Sequence, residues 1–153
     1  MVMSRKSVTT AILILALLAI AVSAYLTYLH YAPGHGAWCD VSQGFNCEIV
    51  NQSIYAEFPP GSGIPVGGLG ALAFIIVFIL AYSVQKKEEF LYFDRKERAK
   101  YLAILLGMSV LFSLYLVYIE AFVLYTFCLF CLILGILIIA SFILALKLKS
   151  LIV

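Results

Sequence analysis

Apolar residues dominate four long stretches of the chain, and polar residues are concentrated in the segments between them. Crossing the hydrocarbon core of a bilayer, about 30 Å thick, takes about 20 helical residues, and each stretch reaches approximately that length. The pattern therefore predicts an all-α fold, a polytopic membrane protein built as a four-transmembrane-helix bundle in a single domain. The predicted spans are residues 8–30, 64–84, 101–125 and 126–146 of the 153-residue chain.

The first stretch also has features of a secretory signal peptide. Basic residues precede the apolar core, and the sequence around Ser23 loosely resembles a cleavage site. However, the apolar run continues past this point to Leu29, and the site lacks the clean small-x-small pattern. We therefore interpret this stretch as a retained span.

Composition and charge place the protein in a membrane and predict its orientation. Hydrophobic residues make up 65% and charged residues 12% of the chain, which excludes a water-soluble domain. The ten Lys and Arg residues occur only before the first span, between the second and third, and after the fourth. By the positive-inside rule, both termini and the 85–100 loop are cytoplasmic, and the 31–63 loop faces outward. We expect a multi-pass plasma membrane protein in contact with lipid, and its net charge of +2 gives no reason to expect a nucleic-acid partner.

The outer loop contains a short amphipathic segment, residues 48–58. Apolar positions recur in it roughly on one helical stripe, formed by Ile49, Val50, Ile54 and Phe58. The segment is too short to span the bilayer. We therefore expect a short interfacial helix that caps the mouth of the bundle.

Two features of the spans themselves stand out. Glycines from Gly67 to Gly70 open the second span, and small residues of this kind favour close packing of helices. Glu120 lies close to the outer end of the third span, and an ionisable residue in a span indicates a function by default. Two roles are equally consistent with this position of Glu120: a carboxylate anchored at the membrane interface, and a proton acceptor.

The four cysteines form two pairs, both on the side predicted to be extracytoplasmic, where disulfides form and persist. Cys39 and Cys47 have seven residues between them, enough for the loop to close a disulfide. Cys128 and Cys131 form a Cys-x-x-Cys motif at the start of the last span. Positions three apart on a helix share a face, and the unpaired N–H groups and dipole of the first turn favour a thiolate. The motif therefore indicates redox chemistry.

Several chemistries use four cysteines. The wide first pair does not match the usual spacing of zinc ligands and the site would border lipid, so we predict no metal. Covalent haem attachment needs a histidine after the second motif cysteine, and Leu132 stands there. Two alternatives remain: a non-catalytic membrane scaffold with structural disulfides, and a redox relay. The relay must pass its electrons to an acceptor in the bilayer, for which a lipid-soluble quinone is suited.

Several motifs together resemble the vitamin K epoxide reductase (VKOR) family. They are Cys39-Asp40-Val41, Cys47 after seven residues, Ser53 six positions later, and Val123-Leu124-Tyr125-x-Phe127 directly before the Cys-x-x-Cys. The similarity extends over nearly the whole chain. The resemblance implies a four-helix bundle that encloses a quinone pocket, capped by the loop bearing the first cysteine pair.

The resemblance also implies a role for each matched residue. Cys39 would exchange with a thioredoxin-fold partner outside the cytoplasm, Cys47 would pass electrons to Cys128, and Cys131 would lie nearest the quinone. Ser53 resembles a hydroxyl that orients the cysteine loop or the pocket. The other residues expected at the pocket are Val66, Gly70, Phe74 and Leu124.

Two positions depart from the family pattern. The asparagine and tyrosine with which animal members contact the quinone align with Val66 and Gly135. We therefore expect a respiratory quinone such as menaquinone or ubiquinone as acceptor, with vitamin K or its epoxide as the alternative.

The small size and the lack of a retention signal favour a prokaryotic member. DsbB-type oxidases perform similar chemistry, but their Cys-x-x-Cys precedes the wide pair, so the order here favours VKOR. The predicted function is a quinone-dependent thiol-disulfide oxidoreductase that supports disulfide bond formation.

Overall fold

Four long helices form the body of the protein, and the computed structural model describes residues 4–34, 38–86 and 94–152. The long helices are α1 (Arg5–Tyr31), α3 (Val66–Gln85), α4 (Arg95–Ile119) and α5 (Leu129–Ile152). A six-residue helix, α2 (Cys47–Gln52), and a 3₁₀ turn (Ile54–Ala56) lie between α1 and α3, and a π-helical turn (Glu120–Leu124) extends α4. The described residues contain no β-strand, only isolated bridges. The predicted all-α bundle is confirmed.

Each long helix has the length and apolar composition needed to cross a membrane. The helices pack in a ring, in which α1 contacts α3 and α5, and α4 contacts the same two neighbours. Residues 35–37 of the predicted outer loop and residues 87–93 of the predicted cytoplasmic loop lie outside the described residues.

The long helices extend beyond the predicted spans at several ends. Helix α1 begins at Arg5 because the Ser4 hydroxyl accepts a hydrogen bond from the Ser7 N–H. Helix α4 begins six residues before the predicted span, where the Asp94 carboxylate accepts the Arg95 N–H. Ser4 and Asp94 are both residue types that are preferred at the N-cap position. Hydropathy marks the part of a helix that suits lipid, whereas the backbone hydrogen bonds continue into the flanking charged sequence.

The predicted interfacial helix over residues 48–58 is wrong in its extent. Helix α2 ends at Gln52 because Ser53 adopts an extended conformation, with its hydroxyl donating to the Val50 carbonyl at 2.7 Å. The break turns the following residues, so the four apolar residues of the predicted stripe do not lie on one helix. Val50 is buried, whereas Ile49, Ile54 and Phe58 are exposed.

Helix α2 is nevertheless fixed against the end of α1. The Gln52 side-chain amide donates to the carbonyls of Leu29 and His30, each at 3.0 Å. The His30 ring nitrogen Nδ1 lies 2.7 Å from the Asn51 carbonyl oxygen. Because these contacts join α2 to a long helix, the short helix has a defined position despite its length.

The close helix packing predicted from the glycines is found between α3 and α1. A Cβ added to Gly67 would lie 2.9 Å from the Thr27 Oγ1 and 3.1 Å from the Ser23 carbonyl oxygen. A Cβ on Gly70 would lie 3.2 Å from the Ser23 Oγ. The backbones therefore approach as closely as they do because these positions have no side chain.

Candidate active site

The segments that carry the two cysteine pairs are joined by backbone hydrogen bonds. The Phe127 N–H donates to the Gly44 carbonyl at 2.9 Å, and the Asn46 N–H donates to the Phe127 carbonyl at 3.0 Å. The rings of Phe45 and Phe127 also pack together, with centroids 6.0 Å apart. These contacts hold the residue before Cys47 against the residue before Cys128.

Three of the four sulfur atoms lie in one cluster as a result. Cys39 and Cys47 form a disulfide, with their Cα atoms 5.8 Å apart, while Cys128 and Cys131 are free thiols. The Sγ atoms of Cys39, Cys47 and Cys128 all lie within 4.8 Å of one another, and all three residues are fully buried. A direct exchange between the loop disulfide and Cys128 therefore requires little movement of the sulfur atoms.

Cys128 lies just before α5 and caps it, so the prediction that both motif cysteines lie on the helix is wrong, whereas the predicted position of Cys131 in the first turn is confirmed. Its Sγ accepts the Cys131 N–H at 3.2 Å, and its carbonyl accepts the Leu132 N–H at 3.0 Å. This is the hydrogen-bonding pattern of an N-cap residue, with sulfur in the place that a serine or aspartate oxygen usually takes. The Cys128 side chain folds back over the first turn, which brings it to Cys131.

Asn51 is a site residue that the sequence analysis missed. Its side chain is buried, and its Nδ2 donates to the Cys47 carbonyl at 2.9 Å and to the Cys128 Sγ at 3.9 Å. The available signal was its position four residues after Cys47, which places it on the same face of α2. Asn51 thus contacts both cysteine segments.

Glu120 is buried inside the protein, with 2% of its surface exposed. Its Oε2 accepts the Cys128 N–H at 3.1 Å, and its carboxyl group also interacts with the Cys131 side chain. The alternative of an interface-anchored carboxylate is therefore wrong. The π-helical turn that begins at Glu120 is of the kind often found at functional sites.

A cavity of about 370 Å³ lies between the helices beside Cys131. Its volume is within the range of small-molecule sites, and most of its wall is apolar. Of the four cysteines, Cys131 lines it. Every residue that the sequence analysis assigned to the pocket also lines it: Ser53, Val66, Gly70, Phe74 and Leu124.

Several polar groups on the cavity wall come from positions that the sequence analysis did not select: Asn51, Tyr55, Ser109 and Ser113. Ser53 and Glu120, which it did select, also line the wall. The Ser113 Oγ lies 3.0 Å from the point where a Cβ on Gly135 would stand, so α4 and α5 are in close contact there. The available signal was the pair of serines four residues apart in an otherwise apolar span. The cavity therefore has hydrogen-bonding groups although Val66 and Gly135 provide none.

The three sulfur atoms of the cluster are close enough together to bind a metal ion. In the disulfide state, however, they are not a suitable set of metal ligands. Metal ligands must be thiolates, and the sulfurs of Cys39 and Cys47 are bonded to each other. Cys128 alone of these three retains a thiol. The arrangement is that of a disulfide beside a free thiol.

Comparison with known families matches residues 10–146 to a model described as the Vitamin K epoxide reductase family. The matched segment includes all four cysteines and the cavity wall. No curated protein matches the chain.

Proposed function

Because the chain belongs to the vitamin K epoxide reductase family, and is therefore a multi-pass membrane redox enzyme, we propose that it is a quinone-dependent thiol-disulfide oxidoreductase. The observation that carries the proposal is the placement of the sulfurs: three lie within 4.8 Å of one another, and Cys131 lines a cavity. This arrangement suits a relay from the loop pair, through Cys128, to a molecule in the cavity.

The relay begins outside the cytoplasm. A reduced thioredoxin-fold protein gives two electrons to the Cys39–Cys47 disulfide by thiol-disulfide exchange, and leaves with its own disulfide formed. The freed Cys47 thiolate then attacks Cys128 of the oxidised Cys128–Cys131 pair, which makes a Cys47–Cys128 disulfide and releases Cys131 as a thiolate. Cys39 resolves this disulfide, so the loop pair is oxidised again and the inner pair is reduced.

The reduced inner pair then passes two electrons and two protons to a quinone, giving a quinol and the Cys128–Cys131 disulfide. The cavity supports this acceptor because it is apolar, large enough for a small ring and bordered by Cys131. Two of its wall residues, Leu69 and Met108, are exposed on the outer face of the bundle. The exposure of one wall residue on α3 and one on α4 favours entry of a ring from the lipid between these two helices. Menaquinone or ubiquinone is the proposed acceptor.

The proposed orientation follows from the charges. The segments rich in Lys and Arg border the opposite ends of the helices from the cysteines, which favours a cytoplasmic position for both termini and an extracytoplasmic one for the sulfur cluster. Exported proteins acquire disulfides on that side. The net effect of the proposed relay is disulfide bond formation in such proteins.

The test is quinone reduction by the purified protein in detergent, with a reduced thioredoxin-fold protein as the electron donor. The bleaching of menaquinone or ubiquinone measures the reaction. Replacing Cys131 with Ala should abolish quinol formation and leave a Cys47–Cys128 disulfide that can be trapped. Leu129→Ala, an exposed position in the same helical turn, is the control and should retain activity. Undiminished turnover in Cys131→Ala would remove the assignment.

The same preparation tests the two alternative functions, a non-catalytic scaffold with structural disulfides and a vitamin K or epoxide reductase. A scaffold with structural disulfides should show reduction potentials below about −300 mV for both pairs and no quinone reduction, whereas catalytic disulfides have higher potentials. Vitamin K epoxide serves as a further substrate in the same assay. Its reduction at a rate similar to that of menaquinone would assign the enzyme to epoxide chemistry as well.

A further inference from the structure

Two N–H groups converge on the buried sulfur of Cys128. We propose that Asn51, together with the Cys131 backbone N–H, holds this sulfur as a thiolate while electrons pass between the two cysteine pairs. The proposal rests on the relay described above, and it assigns to Asn51 a role in the step at which Cys128 is released.

The geometry gives each donor a separate position. The Cys131 N–H reaches the Cys128 Sγ from the first turn of α5 at 3.2 Å, and the Asn51 Nδ2 reaches it from α2 at 3.9 Å. A side-chain amide has two N–H bonds, and the second one of Asn51 donates to the Cys47 carbonyl at 2.9 Å. The Asn51 amide nitrogen therefore contacts both cysteine segments.

The surroundings make these donors important for a charged sulfur. Cys128 is fully buried, and a buried anion is costly unless hydrogen bonds or opposite charges compensate it. The positive end of the α5 dipole acts in the same direction as the two donors. The carboxyl group of Glu120 accepts the Cys128 backbone N–H, and it acts in the opposite direction when charged.

The main chain of Asn51 is also held in place. His30 Nδ1 lies 2.7 Å from the Asn51 carbonyl oxygen, and His30 Nε2 lies 3.5 Å from Glu57 Oε1. A carbonyl oxygen only accepts, so His30 donates from Nδ1. The orientation of the Asn51 amide is thus fixed by α1 on one side and by the Cys47 carbonyl on the other.

The step that uses this arrangement balances without an added oxidant. In the Cys47–Cys128 disulfide, the Cys39 thiolate attacks Cys47, the Cys39–Cys47 bond forms, and the Cys47–Cys128 bond breaks. The electron pair of the broken bond leaves on Cys128. Because a leaving thiol departs faster when its thiolate is more stable, the two N–H donors should accelerate this step.

The test follows the thiolate of Cys128 directly and does not require quinone turnover. In a full-length background with Cys39, Cys47 and Cys131 replaced by Ser, Cys128 is the remaining thiol and the residue 131 N–H is retained. The rate of Cys128 alkylation is measured as a function of pH in this background and with Asn51→Leu or Asn51→Asp added. Glu120 is present in every variant, so its influence is common to all.

We expect the midpoint of the pH profile to rise by about one pH unit in Asn51→Leu, which lowers the thiolate population about tenfold below the midpoint. Asn51→Asp should raise it further, because a carboxylate donates no hydrogen bond and adds a negative charge. Gln52→Leu is the matched control: its amide also holds α2 on α1 but has no hydrogen bond to the sulfur.

Loosening of α2 and loss of a hydrogen bond have different signatures. A looser helix exposes Cys128 and raises the maximal alkylation rate, so Gln52→Leu should change that plateau and leave the midpoint in place. A midpoint that stays unchanged in both Asn51 variants overturns the proposal, whatever happens to the plateau. An inactive wild-type protein in the quinone assay would instead count against the relay, so the two failures are distinguishable.

Discussion

Replacing Gly67 with Ala should destabilise the bundle, and replacing its neighbour Gly68 should not. A Cβ on Gly67 would lie 2.9 Å from Thr27 Oγ1, 3.0 Å from Thr27 N and 3.1 Å from the Ser23 carbonyl oxygen. Two of these three atoms belong to the backbone of α1 and cannot rotate away. Overpacking of this kind costs about 1–3 kcal/mol, whereas Ala gains at most about 1 kcal/mol over Gly in helix propensity. The net effect is a loss of up to about 2–3 kcal/mol.

Gly68 is a matched control, because it is the next residue in the same helical turn. The nearest atom to a Cβ there is Pro65 Cγ at 3.5 Å, an ordinary van der Waals distance. Gly68→Ala therefore retains the propensity gain without the clash, and its stability should be unchanged or slightly higher.

The assay is thermal unfolding of both purified variants in the same detergent, with the Cys39–Cys47 disulfide intact in each. We expect the Tm to fall in Gly67→Ala and to stay level or rise in Gly68→Ala. If Gly67→Ala were as stable as Gly68→Ala, the close approach of α3 to α1 would be refuted, and with it the position of one wall of the cavity.

Two further predictions concern the cavity and the buried carboxyl group. Ala73→Phe, which adds a ring at the cavity wall, should raise the KM for quinone while leaving reduction of the Cys39–Cys47 disulfide by a small thiol unchanged; an unaltered KM would place the quinone elsewhere. Glu120→Ala should lower stability by about 1–3 kcal/mol because it leaves the buried Cys128 N–H without an acceptor, whereas Glu120→Gln retains an oxygen and should lose less in a thermal melt. Equal stability of the two variants would contradict this role for the carboxyl oxygen.

Hydropathy was sufficient to predict the four long helices. A bilayer requires long apolar segments whose backbone groups are hydrogen-bonded within the segment. Each of the four spans is therefore recognisable from its own stretch of sequence. The boundaries were less accessible, since Ser4 and Asp94 cap helices that extend into charged sequence. Hydropathy indicates which part of a helix can lie in lipid, whereas the capping residues determine where the backbone hydrogen bonds of the helix begin.

The parts of the candidate site that belong to a sequence motif could be predicted. Residues whose role depends on a single tertiary contact could not. The family motifs led to the pocket residues Ser53, Val66, Gly70, Phe74 and Leu124, which all line the cavity. Asn51 was missed because its importance depends on a hydrogen bond to a residue 77 positions away. The start of α5 at Leu129 was missed because a cysteine is not among the residues that usually cap helices.

The width of the first cysteine pair has a physical explanation in the contacts of its spacer. Residues 42–45 form a tight turn, closed by the Phe45 N–H donating to the Ser42 carbonyl at 3.1 Å. The turn places the Gly44 carbonyl and the Asn46 N–H on either side of the Phe127 backbone, and the Asn46 side chain caps α2 through the Ile49 N–H at 2.9 Å. A two-residue spacer has too few backbone groups to make the turn, the bridge to Phe127 and the cap together. The seven-residue spacing is therefore what allows one loop to close its own disulfide and still hold Cys47 against Cys128.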